Sequence, residues 1–197
     1  MNTQNSTITK LAETALMAAL CYVSFTFLQI KIPVPGGDAT SIHIGNAFCV
    51  LAALLIGGVY GGLSGAIGMG IADLMDPVYI TGAPKTFVLK FCIGLITGLV
   101  AHKIAKINES TDKKYVFKWS VIASVAGLAF NVVADPIVGY FYKQYILGQP
   151  QELAQALAKN ECCSDIIQCS CFCDPGSSDL QCSTSGTDQE PSAYNHR

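Results

Sequence analysis

Six polar side chains stand where an otherwise apolar chain leaves little room for them: Asp73, Asp76, Lys85, Lys90, Asn131 and Asp135. Ionisable groups at membrane depth are costly and rare, so each is a candidate for function. Together they offer carboxylates, ammonium groups and one amide, a set suited to hydrogen bonding a small polar ligand. Lys90 lies five residues beyond Lys85, about 8 Å along a helix axis. Asn131 and Asp135 are four apart and share a helix face, which Gly127 extends. A purely structural reading also fits these residues: Lys90 pairs with Asp135, and Lys85 reaches up to the membrane interface.

The same residue types do not assemble into catalytic motifs. There is no His-Glu-x-x-His, no Gly-x-Ser-x-Gly and no phosphate-loop lysine, and His43, His102 and His196 are scattered. The glycines between Pro33 and His43 do not join a strand to a helix, so that segment reads as an outer loop able to cover a pocket. No enzyme activity, cofactor or metal is implied. Uphill transport would need energy from another subunit or an ion gradient.

The surroundings explain why these charges stand out. The chain has 197 residues, 51% of them hydrophobic and only 13% charged, against about 25% charged in a soluble domain. Mean hydropathy is +0.41. With a net charge of −2, nucleic-acid binding has no electrostatic support. The expected fold is an all-α integral membrane protein with five transmembrane helices. The spans are Leu11 to Ile30, Ile44 to Tyr60, Leu63 to Met75, Pro84 to Ala105, and Trp119 to Tyr142. The third is short: at 1.5 Å per residue it reaches about 20 Å, against about 30 Å of hydrocarbon.

Basic residues orient the spans. His102, Lys103, Lys106, Lys113, Lys114 and Lys118 cluster between the fourth and fifth spans, which places that loop and the N-terminus in the cytoplasm of a multi-pass cell-membrane protein. The six polar candidates then fall in the outer half of the bilayer. Glycines recur at four-residue spacing (Gly57, Gly61 and Gly65; Gly58 and Gly62; Gly94 and Gly98), which permits close helix contact. Ala15 and Ala19 form a similar pair on the first span, for internal packing or for a partner helix.

At Asn160 the composition changes. Six of the nine cysteines follow it, and no apolar run does. Metal binding and disulfides are two readings of these cysteines; Cys-x-Cys-x-Cys without a second paired motif is a weak zinc pattern. A third comes from the genetic code. Each cysteine codon, TGY, becomes GYN one base later and encodes only Val or Ala. Read that way, roughly 20 triplets after Lys159 form a small, apolar stretch, the length of a membrane span. The expected organisation is therefore a membrane-embedded domain at 1–159 and a polar Cys-rich tail at 160–197, out of frame and disordered, with a sixth helix lost.

Four segments carry a family resemblance: Leu11 to Leu20, Gly57 to Gly62, Gly68 to Pro77, and Ala83 to His102. In these the chain resembles the S components, the substrate-binding subunits, of energy-coupling factor (ECF) vitamin transporters, and most of all the riboflavin-type branch. The resemblance implies six helices and an outward pocket capped by the loop between the first two. It implies riboflavin as ligand, with pyridoxine or hydroxymethylpyrimidine as alternatives, and as partners a transmembrane T subunit and two cytoplasmic ATPase subunits. Ala15 and Ala19 match the small residues that meet the T subunit in that family. Pocket roles carry over to Lys85, Lys90, Asn131 and Asp135. A stand-alone membrane carrier or an accessory scaffold is the competing reading.

Overall fold

A computed structural model describes residues 3–34 and 38–173. Six helices form the body of the molecule: α1 (Thr3–Phe27), α2 (Gly45–Ile56), α3 (Gly58–Met75), α4 (Ala83–Gly98), α5 (Lys113–Phe141) and α6 (Gln151–Cys173). Wide π-type turns extend α4 through Leu99–Ile104 and α5 through Tyr142–Ile146. The helical fold has one exception. The connection after α1 is an antiparallel hairpin, β1 (Gln29–Val34) and β2 (Asp38–His43), in register from Gln29 opposite His43 to Val34 opposite Asp38.

Three stretches are long and apolar enough to cross a membrane: Thr7–Phe27, Ile80–Ile104 and Lys113–Ile146. The protein is thus a helical membrane protein, with large apolar side chains such as Leu16, Phe27, Leu55 and Phe117 facing outward. A soluble protein would bury such residues; in lipid they are the solvated surface.

Two sequence expectations need correction here. The second and third spans divide at Gly57, not after Tyr60, so the short helix is α2, with 12 residues, while α3 has 18. The cause is local. Gly57 has φ +107, a backbone conformation that side chains disfavour, and it ends one helix as it starts the next. The second correction concerns the helix expected to be lost. α6 runs without a break through Asn160 to Cys173. Glu152 to Lys159 are strong helix formers, and no Gly or Pro interrupts the chain between Gln151 and Cys173. α6 packs against α5 and β2, although it is not among the three apolar spans. The remaining tail, 174–197, lies outside the described residues.

The helices meet through their small residues. A side chain on Gly94 would collide with the backbone of Gly62, and one on Gly98 with Gly58, so α3 and α4 cross backbone to backbone. Gly61 likewise faces Ala53 of α2, and Gly68 faces Ala18 of α1. Around these contacts lies a core that includes Cys21, Val50, Met69, Ile93 and Leu128.

Candidate functional site

The ends of these elements converge on a polar cavity. The hairpin contributes Thr40 and His43, α1 contributes Phe25, and α3 contributes Asp73 near its C-terminus. Lys85, Thr86 and Lys90 project from the first turns of α4, and Asp135 from the last turns of α5. This is the end of the bundle where α4 begins and α5 finishes; the basic loop between α4 and α5 lies at the other end. Pro136 inside α5 removes the backbone N–H that would bond the Val132 carbonyl, loosening the helix beside Asp135.

Lys85 is the hub of the charges. Its ammonium lies 2.9 Å from Asp135 Oδ1 and 2.9 Å from Glu161 Oε1, and Lys143 approaches the same Glu161 oxygen at 2.9 Å. All four side chains are largely buried. The Lys85 side chain is only 9% exposed, so it does not reach for the interface. Lys90 does not pair with Asp135; it donates to Asn131 Oδ1 at 3.2 Å. The structural reading of Lys90 and Asp135 as a pair is therefore replaced by a different arrangement.

The wall above these charges is aromatic. Phe25 and His43 stand with ring centres 4.5 Å apart, and Tyr79 meets Phe25 edge-on at 6.2 Å. His43 Nδ1 accepts from the Gly45 N–H at 3.2 Å, which fixes the ring at the start of α2. Tyr142 donates to the Thr81 carbonyl at 2.8 Å, tying the end of α5 to the turn before α4. The cavity measures about 100 Å³, below the roughly 300–1,000 Å³ of most small-molecule sites. A vitamin-sized ligand therefore requires the wall or the hairpin to move.

Of the six polar candidates, Asp73, Lys85, Lys90 and Asp135 line this cavity. Asn131 stands behind Lys90 as its hydrogen-bond acceptor. Asp76 is placed elsewhere: it follows the last turn of α3, pairs with Lys31 of β1 and borders a separate groove. Its Oδ1 accepts from the Val78 N–H at 3.0 Å, and the Lys31 ammonium sits 5.3 Å from the Tyr79 ring centre. Partial burial opposes ionisation of Asp76, but the Lys31 ammonium and the Val78 N–H outweigh it and hold the carboxyl below the usual range.

The sequence reading missed Lys143, Glu161, Asp165 and Gln168, which also line the cavity. Lys143 follows a long apolar helix and passes for an ordinary flanking lysine. The other three fall in the segment set aside as a tail. Gln168 accepts from Asn46 Nδ2 at 3.0 Å and lies 3.5 Å from the Ser41 carbonyl, joining α6 to α2 and to the hairpin. On the far side, Ala15 and Ala19 lie on the exposed face of α1 and are not used in internal packing.

Comparison with known proteins agrees with this architecture. The curated protein "Uncharacterized protein in gap 3'region" of Pyrococcus woesei is 32% identical over 76 residues, 39% of this chain and 49% of that protein. The match spans about half the length of that relative. No solved structure matches the chain. The family described as ECF-type riboflavin transporter, S component, matches residues 5–172, from the first turns of α1 almost to the end of α6. With an outward-facing apolar surface, six helices and a polar cavity at one end, the chain belongs to the ECF-type riboflavin transporter S component family.

Proposed function

We propose that this protein is the membrane-embedded, substrate-binding subunit for uptake of a small vitamin or vitamin precursor. Riboflavin is the first ligand to test; pyridoxine and hydroxymethylpyrimidine are the next. Membership of a transporter-subunit family, not an enzyme family, supports the reading. The observation that carries it is the convergence of Asp73, Lys85, Lys90 and Asp135 from three helices on one cavity. A carrier working alone would need its own source of energy. This reading assigns that role to a T subunit and two cytoplasmic ATPase subunits, with Ala15 and Ala19 facing the T subunit. The N-terminus is cytoplasmic and the cavity opens outward, because the basic loop at the other end stays inside.

Equilibrium binding of riboflavin, pyridoxine and hydroxymethylpyrimidine to the protein in lipid nanodiscs tests the proposal. Saturable binding of one of them, weakened by Asp135→Ala, is expected. No binding of any of the three overturns it. Ion-gradient-driven uptake by the chain alone would instead favour a stand-alone carrier.

The reading-frame proposal is separate and concerns residues from Asn160 onward. Sequencing the gene tests it: a shifted frame that meets an early stop codon overturns it.

A further inference from the structure

Three lysines face the cavity, and Lys90 differs from the other two. Lys85 and Lys143 each touch a carboxylate at 2.9 Å. Lys90 is more buried, at 5% exposed, and among the described residues no carboxylate lies within 4.0 Å of its ammonium. Asp73, Asp135 and Asp165 face the same cavity and act on it only across a distance. An ammonium carries three donors and no acceptor, and the bond to Asn131 uses one. The Asn131 amide must turn its oxygen to Lys90, which leaves Nδ2 buried without a hydrogen-bond partner, at 1% exposed. The pair thus holds more unused donors than acceptors: two on the ammonium and those of Nδ2, against one remaining lone pair on the Asn131 oxygen. Leaving such groups dry is costly, and more so for a charged one.

We propose that Lys90, held by Asn131, binds a hydrogen-bond-accepting oxygen carried on a flat ring of the ligand: an imide carbonyl or a phenolate-type oxygen. The ring follows from the neighbours, since Phe25 and His43 line the cavity beside Lys90 and offer it a surface to pack on. The ligand's edge at this point is electron-rich. A cationic ring, or a polyol end used only as donor, does not fit here. This inference rests on the vitamin-binding reading above and specifies which end of the ligand enters deepest. Lys90 is one and a half turns further into α4 than Lys85.

The test uses two parent–analogue pairs, each differing at the oxygen: riboflavin against 4-thioriboflavin, and pyridoxine against 3-O-methylpyridoxine. Wild-type protein in nanodiscs is expected to prefer the parent of whichever pair it binds by at least tenfold. Lys90→Met is expected to lose tenfold or more for the parent and to bind parent and analogue alike. Asn131→Ala is expected to fall between. Melting temperature separates recognition from folding. A methionine replaces a buried charge that no carboxylate touches with an apolar chain of similar length, so Lys90→Met is expected to melt at or above wild type. A lower melting temperature marks Lys90 as structural and overturns the proposal. So does equal wild-type affinity for parent and analogue, which leaves the vitamin reading standing. Binding of neither parent overturns this proposal, and the vitamin reading falls with it when hydroxymethylpyrimidine does not bind either.

Discussion

At the scale of single residues, the fold depends on how charges are shared inside a membrane. Lys85 touches Asp135 and Glu161 at once. Its removal leaves Asp135 without the ammonium that touches it and Glu161 with Lys143 alone. Breaking a buried pair on one side costs about 3–5 kcal/mol. Lys85→Met is therefore expected to lower thermal stability by that order in nanodiscs, and adding Asp135→Asn is expected to recover part of the loss. Unchanged melting of the single variant would show that the pair contributes nothing. Lys85, Lys90, Asp73 and Asp135 were legible in the sequence because each interrupts an apolar run. Lys143 and Glu161 were not, because each stands among polar residues where a charge draws no notice. Asp76 is set apart from the cavity for a simple reason: it stands three residues after Asp73, but α3 ends between them, and the chain turns Asp76 toward the hairpin.

At the scale of elements, close crossings and one hairpin govern the site. The four-residue glycine spacing made the α3–α4 contact legible, but not the partners, which require the fold: Gly94 on Gly62 and Gly98 on Gly58. A methyl group on Gly94 meets backbone, which cannot rotate away. Gly94→Ala is expected to cost about 1–3 kcal/mol and to weaken ligand binding, since α4 carries Lys85 and Lys90. A variant as stable as wild type would mean that the helices separate freely. The hairpin was expected only as a loop, since its strands are short and one runs through Pro33. On its β1 side the Lys31–Asp76 pair ties it to the end of α3, and Lys31 is 43% exposed. Such exposed pairs are weak and screened by salt. Lys31→Ala is expected to speed ligand release severalfold, and added salt to do the same in wild type but not in the variant. The Asp76 carboxyl titrates below its usual range, so the pair is intact above the ordinary carboxylate value and is lost as pH falls through the lowered one. The salt effect on release, which reads this pair alone, is expected to stay constant from pH 5 to 8; its loss within that window would show that Asp76 does not hold Lys31.

At the scale of the whole molecule, two faces carry the remaining predictions. Ala15→Leu with Ala19→Leu alters only the exposed face of α1. It is expected to leave vitamin binding intact while abolishing co-purification with a T subunit and ATPases; retained co-purification would return the alanines to lipid contact. The other face is α6. Its position was implied by the six-helix resemblance, but its residues suit the position poorly. Asp165 is 6% exposed, and its Oδ2 and Glu161 Oε2 are buried without hydrogen-bond partners. Polar groups left unsatisfied at membrane depth cost several kcal/mol each. The family match nevertheless continues past Asn160 to residue 172, so a sixth helix belongs here in some form. Reading one base later supplies Ala and Val at every cysteine and converts the segment to an apolar span, which removes both buried carboxylates. Resequencing is expected to find a one-base discrepancy near Lys159. The restored chain is expected to insert and melt as a more stable protein, and to bind vitamin at least as tightly as the form with Asp165. If the restored chain is less stable, the carboxylates of α6 are part of the native pocket and the frame that encodes them is correct.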